Sequence, residues 1–168
     1  IKIFGDAPVI WDPDETIQSE KELTRYLHNI GYFNAEVNSS IFQSKAKANI
    51  TYNILPKKPY IISEINWVIE DTSLMAEGLK GNSLLTEGDI FNTYILDEER
   101  ARISELLKNK GYYDFNKEYV NYIVDTTYLN HAVSLTTKIF LQKNDNFNTV
   151  SEGFRKYNIS KVYIYPDF

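Results

Sequence analysis

Two stretches of the chain carry apolar residues at helical spacing and end in the same three-residue pattern. Apolar positions at i, i+3, i+4 and i+7 occur between residues 23 and 30 and recur between 103 and 107, which predicts two amphipathic helices. Each helix runs into a glycine, which adopts the positive φ of a helix end without a Cβ clash. The endings form a structural motif repeated 80 residues apart: Gly31, Tyr32, Phe33 and Gly111, Tyr112, Tyr113. We expect these aromatic rings to pack in the core, and the repeat predicts two copies of one small domain.

Apolar and polar residues alternate after each helix. In the first copy the alternation covers residues 34–42 and 45–54, with a turn near Gln43. In the second copy it covers 115–124 and 131–141. Period-two alternation is typical of strands with one covered and one wet face, so each helix is followed by two strands of a sheet.

The second copy predicts the element order β-α-α-β-β. A strand with apolar residues on one face spans 60–70, and a polar stretch that contains three glycines follows at 71–88. Residues 91–95 predict a short helix, and Asp97 restarts a longer one that ends at Asn109.

The first helix offers two start signals. Asp12 precedes a proline, the pattern of an N-cap followed by Pro at the first helical position. Ser19 with Glu22 has the pattern of a capping box, which we expect to open the repeated helix itself. The first copy lacks a clear opening strand, unless residues 1–4 or 9–11 supply it.

A third copy begins near the end of the chain. Residues 159–164 echo 62–67 and predict another opening strand. The predicted domains are therefore an N-terminally incomplete unit at 1–58, a complete unit at 59–143 and the start of a further unit at 155–168. The linker between the first two is short and holds two prolines, so we expect limited flexing. The chain has no initiator Met, and we expect it to be part of a longer one.

Composition narrows the classes of function. The net charge of −5 gives no support for nucleic-acid binding, which usually needs a basic patch. The chain has no cysteine, which excludes thiol catalysis and cysteine-ligated metal sites. It has no run of 18 apolar residues, so the sequence predicts no membrane-spanning helix. Its 13 tyrosines suit thin sheets and recognition surfaces.

The candidate chemical groups have simple structural explanations. His28 and His131 are the only histidines, too few for a metal site with three or four ligands. Asp97, Glu98 and Glu99 could form the acid pair of a glycosidase. They lie at a predicted helix start, however, where carboxylates stabilise the N-terminal dipole. The glycines lack the spacing of a phosphate-binding loop. We predict no catalytic residue, no cofactor and no metal site.

A repeated β-α-α-β-β unit whose helix ends in Gly-Tyr-aromatic and runs into a strand resembles the POTRA domain. The segments that carry the resemblance are 27–33, 96–103 and 109–113, with the opening strand 60–65 and its echo at 159–164. The resemblance implies an α+β fold of tandem POTRA-like units, each a three-stranded mixed sheet with two helices on one face. POTRA domains form the periplasmic arm of outer-membrane assembly and translocation barrels of the BamA/TamA superfamily. Within it, the chain is most similar to the TamL branch.

By this resemblance the chain is a non-enzymatic periplasmic arm, with a membrane barrel C-terminal to it in the parent chain. Its partners would be unfolded outer-membrane polypeptides or a periplasmic partner protein, with no nucleic acid and no small-molecule substrate. An extended peptide can add to a sheet edge through main-chain hydrogen bonds, and in POTRA domains the strand after the helix pair is the exposed edge. The expected peptide-binding residues are Ala35, Glu36, Val37, Asn38, Ser39, Lys117, Glu118, Tyr119, Val120, Asn121 and Tyr122. Charges such as Lys117 and Glu118 could instead blunt the second edge.

Three other functions stay open. A two-partner secretion or TamA-type arm would dock a dedicated folded partner. A glycan-processing enzyme would need a cleft with two acids about 5–10 Å apart. A cell-surface adhesion module is disfavoured because the chain lacks Asp/Asn-rich calcium loops.

Overall fold

The computed structural model describes residues 11–45, 47–127, 130–141 and 153–165. Contacts divide the chain into two compact units, one that ends at Tyr60 and one that begins at Ile61. The opening strand predicted for the first copy falls on residues 1–10, which lie outside the described part of the chain.

The described part of the first unit consists of one helix and one hairpin. Its elements are α1 (Pro13–Asn29), β1 (Glu36–Ser44) and β2 (Lys47–Leu55). β1 and β2 pair antiparallel, with Glu36 opposite Leu55 and Ser44 opposite Lys47. The turn therefore follows Ser44, which confirms the prediction of a turn near Gln43 and Ser44.

Helix α1 starts at the earlier of its two signals. The Asp12 side chain accepts a hydrogen bond from the amide of Asp14 at 2.9 Å, so the N-cap prediction is confirmed. The capping box at Ser19 is wrong. Ser19 lies inside α1, and its hydroxyl donates to the carbonyl of Glu15 at 2.9 Å. Asp12 already satisfies a free amide at the helix start, so the helix needs no second cap about two turns later.

The second unit contains a three-stranded mixed sheet, one α-helix and short 3-10 helices. Its main elements are β3 (Ile61–Ile69), a 3-10 helix (Thr72–Glu77), α2 (Thr93–Asn109), a second 3-10 helix (Lys117–Tyr119), β4 (Val120–Asp125) and β5 (Ala132–Ile139). The strand order is β3-β5-β4, with β3 parallel and β4 antiparallel to β5. The predicted α+β fold with a three-stranded mixed sheet is confirmed.

Two element boundaries of the second unit differ from the prediction. Helix α2 does not restart at Asp97. It is continuous from its N-cap Asn92, whose side chain accepts from the amide of Tyr94 at 2.9 Å. The strand predicted at 115–124 begins only at Val120, because the Asn116 side chain caps a 3-10 turn ahead of it.

The core of the second unit lies between α2 and the sheet. It joins residues of the helix, the strands, the loop after β3 and the segment near residue 154: Leu74, Leu79, Ile103, Leu107, Tyr112, Phe115, Val120, Ile139 and Phe154. The predicted inward residues Val133, Leu135 and Ile139 on β5 are buried. Leu141 lies beyond the end of β5 and is half-buried.

Candidate strand-binding edges

The predicted edge residues fall on two strands that each pair on one side. The first group, 35–39, begins one residue before β1, and Ala35 is buried. The second group, 117–122, covers the 3-10 turn and the first half of β4. Among the described residues β1 pairs with β2 alone and β4 with β5 alone. The two groups therefore belong to separate sheets and form two candidate edges rather than one site.

The outer side of β4 is open. The amide of Phe140 donates to the carbonyl of Tyr119 at 2.9 Å, just ahead of the first paired residue of β4. Main-chain groups alternate in direction along an antiparallel strand, so every second amide of β4 faces away from β5. These outward amides belong to Val120, Tyr122 and Val124. The amide of Val120 already donates to the carbonyl of Lys117 in the 3-10 turn, so those of Tyr122 and Val124 are left for an added strand. The side chains of Ile123 and Val124 are 57% and 37% exposed, and the only charge on β4 is Asp125 at its end.

The turn before β4 is attached to α2. The Arg100 guanidinium donates to the carbonyl of Lys117 at 3.2 Å and pairs with Glu118 at 3.3 Å, while Lys117 pairs with Asp97 at 3.4 Å. Such exposed ion pairs each contribute little stability. Here they add to the hydrogen bond that Arg100 donates to the main-chain carbonyl of Lys117. Lys117 and Glu118 therefore contact the helix rather than standing free at the edge.

The two tyrosines of the second group face the core. The Tyr119 ring packs against Phe115 and Phe154, with centroids 5.7 and 4.9 Å apart. Tyr122 is half-buried, and burial raises the pKa of its phenol, with the charge of Glu99 raising it further. At these two tyrosines a peptide can therefore reach the main chain rather than the aromatic ring.

The outer side of β1 is partly covered. The amide of Ser39 donates to the carboxylate of Glu20 on α1, which occupies one of the amides that an added strand would use. Lys57 forms an ion pair with Glu36 at the start of the strand. The edge of β1 is therefore interrupted within the strand, whereas the occupied amide of β4, that of Val120, lies at the first residue of the strand.

A third edge, the outer side of β2, was missed by the sequence analysis. Ser39 lies opposite Tyr52, and since the Ser39 amide faces away from β2, the amide of Tyr52 faces away from β1. Amide directions alternate along a strand, so the amide of Ile50, two residues before Tyr52, also faces away from β1. β2 pairs with β1 alone among the described residues, and residues 49–53 carry no charge. The absence of a clear opening strand in the first copy is the signal that could have pointed to this edge.

The glycine of each motif holds the chain that leaves its unit. Gly31 and Gly111 have φ of +91° and +97°. The amide of Tyr60 donates to the Gly31 carbonyl at 2.8 Å, and the amide of Tyr157 donates to the Gly111 carbonyl at 2.8 Å. A Cβ on Gly111 would lie 2.6 Å from the carbonyl oxygen of Tyr157. Gly111 is thus required both by its φ and by close contact.

The hydrogen bonds from Tyr60 to Gly31 and from Tyr157 to Gly111 are termed the exit contacts. Both tyrosines also form hydrogen bonds through their hydroxyls. The Asn34 amide donates to the Tyr60 hydroxyl at 3.4 Å, and a hydrogen bond with Asp114 raises the pKa of Tyr157. Asn34 and Asp114 are 80 residues apart, so the repeat extends to this bond. Tyr113 departs from the expected packing, since its side chain is 77% exposed.

The acids that resembled a glycosidase pair are engaged in other contacts. Glu99 is fully buried, and its carboxylate bonds to Arg102 at 2.7 Å and to the hydroxyl of Ser83 at 2.8 Å. Asp97 pairs with Arg100 and Lys117. Within the ranges that the structure describes, no cluster of His, Cys, Asp or Glu is placed to hold a metal ion. In the same ranges, no helix combines the length and apolarity needed to cross a bilayer.

Comparisons with known proteins agree on the family. The model of the POTRA family, described as surface antigen variable number repeat, matches residues 10–57 and again 60–140. No curated protein sequence matches significantly. Among solved structures, POTRA3-5 of BamA from Haemophilus influenzae is 16% identical with a TM-score of 0.51, and the match covers 89% of this chain and 67% of that one.

Two further solved structures are similar at lower scores. BamA from Haemophilus ducreyi lacking POTRA domains 1-3 is 18% identical with a TM-score of 0.45, over 81% of this chain and 24% of that one. POTRA1-3 of Omp85 from Anabaena is 16% identical with a TM-score of 0.40, over 77% of this chain and 51% of that one. The chain thus spans only part of these proteins. Because the family model matches more than half of the chain in two consecutive copies, the chain belongs to the POTRA family.

Proposed function

We propose that the chain is a non-enzymatic, periplasmic arm of an outer-membrane assembly or translocation protein, and that it binds extended polypeptides by strand addition at β4. The membership of the POTRA family supports the first part, together with the BamA and Omp85 titles of the similar structures. The parent chain would carry a membrane barrel after this arm. Membership of the TamL branch stays a prediction.

The open edge of β4 is the observation that carries the binding proposal. Its free outward amides belong to Tyr122 and Val124, on either side of the exposed apolar side chain of Ile123. Main-chain pairing tolerates many sequences, which suits an arm that receives varied unfolded clients. β4 is favoured over β1 because Glu20 occupies the amide of Ser39 within β1, whereas the occupied amide of β4 lies at its first residue. The predicted binding residues 117–119 would border the added strand rather than pair with it.

A peptide titration followed by amide chemical shifts tests this function. The isotope-labelled chain would be titrated with a peptide of about ten residues that alternates apolar and polar, as in a membrane strand. We expect shifts concentrated at Tyr122 and Val124. Val124→Pro removes one outward amide without removing a bond to β5, and it should weaken binding at least tenfold.

The β1 edge provides the matched control. Glu20→Ala should free the amide of Ser39 and add shifts at residues 37–41 without changing those on β4. Absence of shifts at millimolar peptide would contradict strand addition. It would favour the alternative in which the arm docks a folded periplasmic partner, which a pull-down with the parent protein would then identify.

The division into domains at 1–58, 59–143 and 155–168 is part of the proposal. The hydrogen bonds from Tyr60 to Gly31 and from Tyr157 to Gly111 support it, because Tyr60 lies immediately before β3 and Tyr157 shortly before the residues that echo β3 in sequence. Proteolysis of a longer chain would test it. Cleavage should concentrate between the proposed domains, and cleavage inside 59–143 would contradict the division.

A further inference from the structure

The chain that follows β5 returns to the core of the second unit at Phe154. This side chain is 6% exposed and belongs to the same apolar cluster as Phe115 and Val120. The amide of Phe154 donates to the buried carboxylate of Asp71 at 2.7 Å. Gly153 lies so close that a Cβ there would be 2.8 Å from the same carboxylate oxygen. The chain is therefore fixed at Phe154 by its main chain as well as by its ring.

Two further contacts hold the residues after Phe154. Lys156 Nζ lies 3.5 Å from the carboxylate of Glu77 and 5.5 Å from the centre of the Tyr112 ring. Tyr157 then makes the exit contact with Gly111. We refer to residues 153–157 as the strap. It lies against the loop after β3 and the turn after α2.

The ring of Phe154 also contacts the turn that leads into β4. Its centroid lies 4.9 Å from that of Phe115 and 4.9 Å from that of Tyr119. Phe115 precedes the 3-10 turn and Tyr119 ends it, and the amide of Val120 donates back to the carbonyl of Lys117. Tyr119 therefore connects the strap with the first residue of β4.

The 3-10 turn is what lets both rings reach the strap. Along β4, Val120 is buried, while Asn121 and Ile123 are exposed. If β4 continued backwards as a regular strand, this alternation would place Phe115 and Tyr119 on the exposed face. The 3-10 turn has a different period, which breaks the alternation and directs both rings inward. Residues 115–119 can thus form either a turn with its rings buried or an extension of β4 with its rings exposed.

We infer that the strap controls where β4 begins. With Phe154 docked, the ring of Tyr119 has a buried partner and the turn holds the amide of Val120. With the strap released, this partner is lost, the turn opens, and β4 extends towards Phe115. Because coupling between two sites is reciprocal, opening of the turn also weakens the docking of the strap.

The strap thereby links the chain beyond Tyr157 to the start of β4. A displacement of the residues that follow the strap would free the amide of Val120, which faces away from β5. The inference rests on contacts that are formed in the structure and holds whether or not a peptide binds. Where a peptide adds to β4 as proposed above, release of the strap would offer it one more outward amide.

Hydrogen exchange of single amides tests the coupling without any peptide. A substitution accelerates exchange at an amide only when the opening that exposes this amide also breaks the substituted contact. Asn116→Ala removes the side chain that caps the 3-10 turn by accepting from the amide of Glu118 at 2.9 Å. It should accelerate exchange at Phe154 by the same factor as at Val120, about fivefold for the loss of a cap. Asn116 is exposed, so the variant should fold normally.

Asn92→Ala provides the matched control, because it removes the same kind of cap from α2 in the same unit. Exchange at Phe154 should be unchanged in this variant. Equal acceleration at Phe154 in both variants would indicate opening of the whole unit and would overturn the inference. An unchanged rate at Phe154 in Asn116→Ala would also overturn it, since the strap and the turn would then open independently.

Gly153→Ala tests the coupling from the side of the strap. The new Cβ would press on the carboxylate of Asp71 and weaken the docking of the strap without removing a core side chain. We expect exchange at Val120 to become at least about tenfold faster, within the usual range for coupling between two sites. Faster exchange at Phe154 with an unchanged rate at Val120 would contradict control of β4 by the strap.

Discussion

The two units carry the same helix and turn but bury them to different degrees. α1 and α2 each have 17 residues, begin after Asp12 and Asn92 as N-caps, and end one residue before equivalent C-caps. The helix faces differ: Leu107 is fully buried, whereas its equivalent Leu27 is half-buried. The second unit has a third strand in its sheet and the first has two strands among the described residues. Local sequence thus sets the helix and its ends, while burial depends on the complete sheet.

The loop after β3 is the second difference between the units. It lies against α2, where the buried Glu99 accepts from the amide of Leu84 at 3.0 Å and the Arg102 guanidinium donates to the carbonyl of Leu79 at 2.7 Å. The position equivalent to Glu99 in α1 is Ser19, which bonds within its own helix. In the second unit an ion pair therefore joins a long loop to the helix.

The unfolding of each unit can be followed separately, because each contains one tryptophan. Trp11 lies in the first unit and Trp67 on β3 in the second. Variants with Trp11→Phe or Trp67→Phe retain one fluorescent reporter, so denaturant unfolding yields a free energy for the chosen unit.

The largest effect is expected at the loop anchor. Glu99→Ala leaves the Arg102 guanidinium without its carboxylate and frees the amide of Leu84 inside the protein. Removal of one partner of a buried ion pair costs about 3–5 kcal/mol, so we expect a loss of this size at Trp67. Ser19→Ala at the equivalent position of α1 should change the signal of Trp11 by about 0.5 kcal/mol or less.

Equal losses in the two variants would show that the loop anchor contributes nothing beyond an ordinary helix position. A loss at Trp67 below about 1 kcal/mol would likewise contradict the buried pair as an anchor.

Truncation of the helix core should also separate the units. Leu107→Ala removes a fully buried side chain and should lower the free energy of unfolding by about 3 kcal/mol. Leu27→Ala, at a half-buried position, should cost about 1 kcal/mol. Equal costs of the two substitutions would contradict the link between the number of strands and the burial of the helix.

The elements that depend on neighbouring residues could be predicted from the sequence. The glycine turns follow from the helix pattern and the left-handed φ of Gly31 and Gly111, and the strands follow from period-two alternation. The mistaken capping box at Ser19 shows the limit of this approach, because a capping pattern can also occur inside a helix. The side chain of Asp12, about two turns earlier, already caps the start of this helix.

The candidate site was less predictable because edges depend on contacts between distant residues. Glu20 and Ser39 are far apart in the chain, and no local pattern indicates that the carboxylate occupies this amide. The attachment of Lys117 to Asp97 is likewise a tertiary contact. The sequence predicts Lys117 and Glu118 as edge residues. In the structure their ion pairs with Asp97 and Arg100 hold the turn before β4 against α2. The position of β4 at the edge of its sheet agrees with the expectation that the resemblance implied.

Substitution of the motif glycines should have a moderate effect that again differs between the units. Ala at a left-handed position costs about 1–2 kcal/mol, which applies to both Gly31→Ala and Gly111→Ala. Gly111→Ala must in addition move the carbonyl of Tyr157, 2.6 Å from the new Cβ. We therefore expect the larger loss at Gly111, together with faster amide exchange at Tyr157. Equal losses in the free energy of unfolding, with unchanged amide exchange at Tyr157, would show that the contact between Gly111 and Tyr157 can shift without an energetic cost.

The smallest effect concerns pH and should be confined to the second unit. Glu77 accepts from the hydroxyl of Tyr112 at 2.9 Å and pairs with Lys110 at 3.1 Å. The hydrogen bonds from Lys110 and then Tyr112 lower the pKa of Glu77 below its usual value. A lowered folded-state pKa means that the carboxylate stabilises the fold above the pKa of the unfolded chain. This contribution disappears as the pH falls through the folded-state pKa.

Glu77→Gln should therefore reduce the stability of the second unit at pH 7 and make it less dependent on pH in the acidic range. The unfolding signal of Trp11 should follow the same pH curve in both proteins, since Glu77 lies in the other unit. Thermal unfolding between pH 7 and pH 3 would measure both. If the variant and the parent lose stability at Trp67 in parallel as the pH falls, other carboxylates carry the acid sensitivity of the second unit. The hydrogen bond between Tyr112 and Glu77 would then follow from the conformation of the turn and would not stabilise it.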